Sequence, residues 1–344
     1  MDVRDYEMLD ISMRKCKKGV IWKDSVAHYC LNNIEENLRL EKQLKSGIYK
    51  SRPPYKFKIT YPKPRDIVSI SFRDRVYQRS INDNVLYPTM VKSFIYDNCA
   101  CQIGKGTDFA RDRLKCFLNR YYRKHGIDGY VLQMDMHGYY PNMLHKEVER
   151  IFSEKLDEEH FKMCKDVLDY QYVGEKGYNP GSQMVQIAGI SYLDKFDHYC
   201  KEQLHLQYYI RYMDDVIIIH HDKKYLEECK EKIKNELNKV GCSFNENKTE
   251  IYKLNKGILF LGWNYRITKT GKCLMIINPK NIKAQRRKLK RLVKLAKSGV
   301  ITKENVDDSF NCFMANLKKG NSHNISMRMK KYYNELWEEK NGNN

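Results

Sequence analysis

The chain has 344 residues, of which 63 are Lys or Arg and 43 are Asp or Glu, so its formal net charge is +20. A charge this large indicates a polyanionic partner, and the length allows a substantial core in two or three domains. No apolar run approaches the roughly 18 residues that a membrane span needs, and the acidic start MDVRDYE is unlike a signal peptide. We therefore expect a soluble, cytoplasmic protein without a membrane partner.

The eleven cysteines are spread along the chain and form no CxxC pair. Cys99 and Cys101 are separated by one residue, a spacing that suits neither a zinc knuckle nor a disulfide framework. We expect reduced thiols that are mostly buried.

The first fifty residues have a helical pattern. Apolar residues recur there at near-helical spacing: Ala27, Cys30, Ile34 and Leu38. The stretch SRPPYK, from Ser51, interrupts the pattern because proline ends helices. Residues 52–119 then mix short strands and helices with many basic side chains.

A strand-like run at 130–134, YVLQM, ends at Asp135 and is followed by a helical stretch from Leu144. In α/β sheets, catalytic carboxylates often lie where a strand ends before a turn and a helix. A solvated strand end is an equally ordinary place for an aspartate, so Asp135 needs a partner before it indicates function.

That partner is in the segment YIRYMDDVIIIH at 209–220, where two strand-like runs flank a turn at Met213, Asp214 and Asp215. Paired carboxylates at a bend can hold hard cations such as Mg²⁺, and two such ions clamp the attacking and leaving oxygens of phosphoryl transfer. Asp-Asp is also common turn chemistry. If Asp135 lies beside Asp214, the two carboxylates can hold both ions.

Two amphipathic helices are predicted beyond this hairpin. The first has apolar residues at helical spacing: Leu226, Cys229, Ile233, Leu237 and Val240. The second follows Asn278 and is strongly basic, KNIKAQRRKLKRLVKLAKSG, with apolar residues on one side.

Seven blocks of sequence, in order, resemble the motifs of reverse transcriptases, and the resemblance covers about residues 40–294. The blocks are YPKPR (61–65) with FRDRVYQ (72–78), FIYDNCACQIGKGTDFA (94–110), QMDMHGYYPNM (133–143), PGSQMVQIAGISYLDKFD (180–197), RYMDD (211–215), NENKTE (245–250) and ILFLGW (258–263). The resemblance implies an α+β right-hand polymerase fold, with an antiparallel palm sheet backed by helices. It implies an N-terminal helical segment at 1–50, fingers at 51–129, a palm at 130–277 and a basic helical thumb at 278–344. A fingers–palm helix is expected at 180–203 and the primer grip at 258–265.

The resemblance assigns two Mg²⁺ ions, which Mn²⁺ can replace, to the metal-binding positions Asp135, Met136, Asp214 and Asp215. Asp135 and Asp214 are expected to bind both ions, and Asp215 to support them. Lys248 matches a lysine that can donate a proton to pyrophosphate. Alternatively, it is an ordinary loop lysine.

Substrate contacts are implied in the same way. Lys63 and Arg65 match the fingers cations that grip the triphosphate, although surface charge is the simpler alternative. Tyr140, five residues after Asp135, matches the ring that lies beneath the deoxyribose and clashes with a 2′-hydroxyl. RNA-directed RNA polymerases carry a polar residue there, a GDD turn and an Asn on the template helix, and none of these is seen. dNTPs are therefore the expected substrates, unless Tyr140 only packs among other aromatic residues.

Nucleic-acid contacts are implied for three further groups. Gly181 and Gln186 match the template helix, where small residues let backbone approach the templating base. Leu261, Gly262 and Trp263 match the primer grip, and Trp263 could pack against either primer sugar or the thumb. The basic helix would bind phosphates through Arg286, Arg287, Lys290 and Arg291.

Among reverse transcriptases, the chain looks most like those of diversity-generating retroelements. Such enzymes work with template RNA, the RNA/DNA duplex, dNTPs and a small basic accessory protein. Pro180 and Val185 depart from that subfamily's template-helix pattern, which puts its error-prone copying of adenine in doubt. Defence-associated reverse transcriptases are the neighbouring possibility. A polymerase-derived, inactive nucleic-acid-binding scaffold is the alternative from another class.

Overall fold

The computed structural model describes residues 2–60, 64–179 and 181–338. The chain divides into two compact units, which we call the first and second unit. The first consists of Met1–Gly106, Gln133–Ile217 and Glu227–Glu250, and the second of Thr107–Leu132, Ile218–Leu226 and Ile251–Asn344.

The α-helices, in chain order, are α1 Tyr6–Cys16, α2 Asp24–Leu31, α3 Asn33–Lys45, α4 Phe72–Ile81, α5 Tyr87–Met90, α6 Thr107–His125, α7 Tyr139–Asn142, α8 His145–Lys155, α9 Glu158–Gln171, α10 Gln183–Tyr192, α11 Asp194–His198, α12 Lys223–Lys239, α13 Pro279–Lys297, α14 Lys303–Leu317 and α15 His323–Glu338. The first fifty residues are helical, as α1 to α3, and their residues Leu9, Leu40 and Leu44 are buried. The predicted apolar stripe is wrong: Ala27 and Cys30 lie on α2, a break follows Leu31, and Ile34 and Leu38 of α3 are 63% and 50% exposed. None of the helices in the described ranges is long and apolar enough to cross a bilayer.

The strands are β1 Tyr55–Ile59, β2 Arg65–Ser69, β3 Tyr130–Asp135, β4 Tyr208–Tyr212, β5 Asp215–His220, β6 Glu250–Lys253, β7 Ile258–Phe260, β8 Trp263–Ile267 and β9 Cys273–Ile277. They form three sheets, with the orders β1-β2, β4-β5-β3-β6 and β7-β8-β9. In the four-stranded sheet, the hairpin strand β5 lies between β4 and β3. This order brings the end of β3, and therefore Asp135, next to the hairpin that carries Asp214 and Asp215.

Burial explains why the hairpin strands form as predicted. Val216 to Ile219 of β5 are each at most 1% exposed, which indicates cover on both faces and accounts for the unbroken apolar run. The amphipathic helix α12 buries Leu226, Cys229, Ile233 and Leu237 completely, as its spacing predicts. The fifth predicted residue, Val240, lies just beyond the end of α12 and is half-buried.

The template-side segment differs from the single helix predicted at 180–203. Helix α10 begins at Gln183 and ends before Leu193, whose φ of −105° and ψ of 19° are not helical, and α11 follows from Asp194. A π-helical turn, Tyr199–Gln203, follows. The break places Asp197 on α11, separate from α10. Asp197 accepts hydrogen bonds there from Arg211 of the hairpin strand β4.

The second unit contains the β7-β8-β9 sheet and the three helices α13 to α15. Leu289 and Val293 are the buried residues of α13, and the rings of Phe310 and Tyr333 stack with centroids 4.1 Å apart. All eleven cysteines lie in the described ranges and are free thiols, as predicted. Five of them are buried and two, Cys101 and Cys312, are exposed, so burial is less general than expected.

Candidate active site

The acidic hairpin turn is tight and strained. β4 ends at Tyr212 and β5 begins at Asp215, so only Met213 and Asp214 connect the strands. Met213 has a φ of 57°, and the left-handed region costs a non-glycine residue about 1–2 kcal/mol. This conformation reverses the chain within two residues and sets Asp214 and Asp215 side by side at the strand ends.

The structure brings Asp135 together with Asp214 and Asp215. Burial raises the pKa of Asp215 to about 6, and the charges of Asp214 and Asp135 add to that rise. Burial also raises the pKa of Asp214, with the Asp135 carboxylate acting in the same direction. The three carboxylates therefore repel one another in a partly desolvated place, and a cation would relieve that repulsion.

Lys248 and Asn245 hold the Asp135 carboxylate. Lys248 donates from Nζ to Asp135 Oδ2 at 2.7 Å, and Asn245 donates from Nδ2 to the same oxygen at 3.2 Å. The hydrogen bond to Asp135 raises the pKa of Lys248, so its ammonium stays charged. The Lys248 side chain remains 57% exposed, which leaves its Nζ accessible from solvent.

The residues fit a hard divalent ion by donor chemistry and charge, because three carboxylates face a single ammonium and supply only oxygen donors. Spacing is less complete: in the ranges that the structure describes, no three His, Cys, Asp or Glu side chains stand at the distances of a metal centre. One physical reason for the incomplete spacing is that Lys248 is hydrogen-bonded to one of the two Asp135 carboxylate oxygens. Side chains move more easily than strands, so a bound cation would draw these carboxylates closer together.

Met136 is placed by its backbone. It forms an isolated antiparallel bridge with Phe244, whose hydrogen bonds are made by the neighbouring residues Asp135 and His137. Because the Met136 carbonyl takes no part in that bridge, it remains available as an oxygen donor. The Met136 side chain is 3% exposed and belongs to the core.

Tyr140 stands against α10. A Cβ at Gly189 of α10 would lie 2.7 Å from Tyr140 Oη, so only glycine leaves room for this ring. Burial raises the pKa of Tyr140 far above its ordinary value, and the charges of Cys101 and Asp214 contribute. Tyr140 Oη is buried and has no hydrogen-bond partner within the described part of the chain. The ring is therefore next to the acidic turn and is positioned by packing.

The other residues of the first unit that the sequence singles out are more dispersed. Arg65 begins β2 and is exposed. A Cβ at Gly181 would lie 2.5 Å from the Val68 carbonyl oxygen, so glycine is required there by close contact with β2. Gln186 lines a cavity of about 410 Å³ together with Gln183, Gln102 and Cys101. Lys63 and Pro180 lie outside the described residues.

The primer-grip residues form the β7-β8 hairpin of the second unit. Phe260 pairs with Trp263, so Leu261 and Gly262 are the turn, with φ values of 46° and 83°. Positive φ at both positions is the geometry of a type I′ turn. Arg111 donates from Nη2 to the Leu261 carbonyl oxygen at 3.1 Å.

Trp263 is 1% exposed, and a Cβ at Gly320 would lie 2.2 Å from its ring. Of the two roles expected for this side chain, the structure has packing within the second unit. Phe260, at 2% exposure, is a core residue.

The basic face of α13 is exposed, with Arg286, Arg287, Lys290 and Arg291 all in solvent while Leu289 and Val293 face the core. Arg286 also lies over the Tyr332 ring, 4.7 Å from its centroid. These side chains are accessible to a phosphate backbone.

Sequence reasoning missed Asn245, Gly189 and Arg211. Asn245 lies inside the NENKTE block, three residues before Lys248. Gly189 lies in a helix interior, where glycine is unfavourable and indicates a close contact. For Arg211, the available signal is a charged residue within an otherwise apolar and aromatic strand.

A family model described as reverse transcriptase (RNA-dependent DNA polymerase) matches residues 57–265, which is more than half of the chain. The chain belongs to this family of nucleotidyltransferases, which use divalent metal ions. No curated protein matches it.

Solved structures of telomerases share the fold. Apo telomerase from Candida tropicalis is 14% identical over 90% of this chain and 66% of that chain, with a TM-score of 0.54. Telomerase from Candida albicans, in complex with a TWJ fragment of telomeric RNA, is 12% identical over 92% of this chain and 66% of that chain, with a TM-score of 0.51. The chain thus spans less than two thirds of these telomerases. At such identities the likeness defines only the fold, an α+β right-hand polymerase.

Proposed function

We propose that this chain is an RNA-directed DNA polymerase that adds dNTPs to a primer 3′-hydroxyl by phosphoryl transfer with two Mg²⁺ ions. The observation that carries the proposal is the convergence of Asp135, Asp214 and Asp215 at adjacent strand ends, in a chain of the reverse transcriptase family. Mutual repulsion of these carboxylates supports a role in holding cations.

The three carboxylates and the Met136 carbonyl would hold the ions, with Mn²⁺ able to replace Mg²⁺. When bound, such ions lower the pKa of the primer hydroxyl and neutralise charge on the triphosphate and the leaving pyrophosphate. Asp135 and Asp214 would bind both ions, and Asp215 would support them by adding negative charge.

Lys248 would act on the leaving group. Its accessible Nζ, 2.7 Å from Asp135 Oδ2, would keep a proton close to the departing pyrophosphate. A charged ammonium there both offsets negative charge and can transfer that proton to the departing oxygen.

Tyr140 would select the sugar. Gly189 fixes the ring from behind, so the ring cannot retreat from a 2′-hydroxyl without displacing α10. Arg65 and Lys63 would bind the triphosphate, where Arg offers a bidentate fork and Lys a point charge.

Template RNA and the RNA/DNA duplex would be the partners. In the first unit, Gly181 and Gln186 would meet the template. In the second, the Leu261–Gly262 turn and the basic face of α13 would meet primer and backbone, with the buried Trp263 supporting that turn from the core. The +20 charge supports such partners, as does the RNA fragment bound to the similarly folded Candida albicans telomerase.

For the biological role, we propose synthesis on a dedicated structured RNA in a bacterial or phage retroelement, with a small basic accessory protein. The resemblance of the chain to diversity-generating retroelement enzymes supports this role. Anti-phage cDNA synthesis from a noncoding RNA, and an inactive scaffold, are the other outcomes that experiment can return.

The test is incorporation of dTTP on poly(rA)/oligo(dT) with Mg²⁺, repeated with a chelator and with Asp214→Asn. Asp308→Asn, an exposed aspartate on α14, is the matched control for removing one carboxylate. We expect activity in the wild type and in the control only. Nucleic-acid binding without metal-dependent incorporation by the wild type would favour the scaffold. Sequencing the RNA and DNA that copurify with the chain would then separate the retroelement role from the defence role.

A further inference from the structure

Arg211, on β4, is 0% exposed. A buried guanidinium is costly unless its hydrogen bonds and charge are satisfied. Its partner Asp197, on α11, is also 0% exposed. Arg211 is two residues before Met213 in the chain. The pair therefore lies at the base of the turn that presents Asp214 and Asp215.

The guanidinium makes four hydrogen bonds in three directions. It donates from Nε and Nη2 to the two carboxylate oxygens of Asp197 at 2.7 and 2.6 Å. Nη2 also donates to the Ile190 carbonyl oxygen at 2.9 Å, and Nη1 donates to the Met213 carbonyl oxygen at 3.0 Å. The bidentate contact with Asp197 fixes the plane of the fork, so the Nη1 donor points at one place.

The Met213 carbonyl is the backbone group immediately before Asp214, and Met213 is the residue with a φ of 57°. Left-handed conformations of non-glycine residues persist only when their surroundings hold them. Arg211 is held from its main chain as well: its N–H donates to the Asp97 carbonyl oxygen at 3.1 Å and its carbonyl accepts from Cys99 N–H at 2.9 Å. The base of the turn is therefore fixed on two sides.

We propose that Arg211, oriented by Asp197, is a positioning residue that holds the Met213 carbonyl and so sets the spacing of Asp214 and Asp215 for divalent ions. The inference rests on the proposed function for its catalytic consequence. It explains why an arginine is buried here: lysine could pair with Asp197, but a single ammonium lacks the rigid fork that also reaches Ile190 and Met213. Stability alone does not require the pair, because apolar residues often replace a buried ion pair without loss.

The experiment compares three variants by Mn²⁺ binding, measured by electron paramagnetic resonance, and by single-nucleotide incorporation. Arg211→Met with Asp197→Leu removes both charges together, which avoids an unpaired buried charge. Arg211→Lys keeps the charge and loses the fork. Lys165→Met is the control, since it breaks the Lys165–Glu149 pair of 2.8 Å between α9 and α8 in the same unit and leaves no buried charge unpaired.

We expect both Arg211 variants to bind Mn²⁺ about 10-fold more weakly and to lose about 10²-fold in kcat with little change in KM for dNTP, because misplacement of catalytic groups by about 1 Å costs that much. The control should keep wild-type Mn²⁺ affinity at a comparable thermal midpoint. If the double variant unfolds, Arg211→Lys decides.

Wild-type Mn²⁺ affinity in a folded Arg211 variant would overturn the inference and leave Arg211 as a structural residue. Failure of the wild type to incorporate dNTP would overturn the proposed function instead. The Mn²⁺ measurement does not depend on turnover, so it still decides the role of Arg211 in that case.

Discussion

The aspartates at the two ends of the β4-β5 hairpin have opposite electrostatic surroundings. Asp197 lies at the base of the hairpin, and the tip group consists of Asp135, Asp214 and Asp215. Asp197 is fully buried and accepts hydrogen bonds from Arg211 and Tyr209, so its charge is balanced inside the protein. Asp214 and Asp215 lie at the turn with Asp135 and repel one another. Burial raises the pKa of Asp197, but the Arg211 guanidinium does not lose its proton, and we take the pair as ionised. The charge of Asp197 is neutralised within the fold, whereas the tip group leaves a surplus of negative charge for an external cation.

The largest expected effect comes from removing a carboxylate of the tip group. Asp135→Asn or Asp214→Asn should abolish polymerisation, with a loss of at least about 10³-fold, because metal ions supply several kcal/mol of transition-state stabilisation. RNA affinity should stay within a few-fold of wild type, since it comes from scattered phosphate contacts. Primer extension and filter binding on the same preparations measure the two quantities. Retained extension in either variant would remove the two-metal assignment.

The next prediction tests the comparison through stability. Asp197→Asn should lower the free energy of unfolding by about 3–5 kcal/mol, because it leaves the Arg211 charge buried without a partner. Asp215→Asn should have the opposite sign. The folded pKa of Asp215, about 6, is above the ordinary value near 3.9. Its favourable contribution is therefore complete below pH 3.9 and is lost as the pH rises through 6.

At pH 8, Asp215→Asn should consequently raise the free energy of unfolding by roughly 1–3 kcal/mol, and the gain should vanish near pH 4. Urea unfolding in the presence of a chelator, at both pH values, measures this difference. The same sign for Asp197→Asn and Asp215→Asn at pH 8 would mean that the two groups do not differ as we argue.

The strands and the acidic turn could be predicted because their signals are local. An apolar, aromatic run at 208–212 and Asp-Asp at a bend define the hairpin without reference to the rest of the chain. The contact of Lys248 with Asp135 joins residues 113 apart, and no local pattern encodes it. The resemblance to a family supplied Lys248 as a candidate, but not its partner.

The packing partners of individual side chains could not be predicted from the sequence either. Whether Trp263 faces nucleic acid or the protein depends on Gly320, which belongs to a loop between two helices far along the chain. The fit of Tyr140 against Gly189 likewise requires that α7 and α10 be adjacent. Periodicity predicts which face of an element is buried, and only the assembled fold shows against which residue.

A smaller effect is expected from Tyr140, which lies beside the tip group and acts by steric exclusion. Tyr140→Ala should raise the efficiency for GTP relative to dGTP by about 10-fold or more, through relief of a clash with the 2′-hydroxyl. The efficiency for dGTP should hold or fall. Single-nucleotide kinetics with both substrates on one template-primer measure the ratio, and Tyr170→Ala, at an exposed tyrosine on α9, is the matched control. A wild-type ratio in Tyr140→Ala would show that this ring does not select the sugar.

The smallest effect is expected where charge is neither buried nor concentrated, on the basic face of α13. Lys290→Gln should weaken template-primer binding only a few-fold at physiological salt, because it removes one phosphate contact among many. It should reduce the slope of log affinity against log salt by about 0.7–0.9, the value expected for one released counterion, and leave kcat at saturating template-primer unchanged. Lys232→Gln, at an exposed lysine on α12, is the control and should keep the wild-type slope. If both variants show the same slope as the wild type, this face of α13 is only solvated, and the attraction of RNA must come from other basic residues.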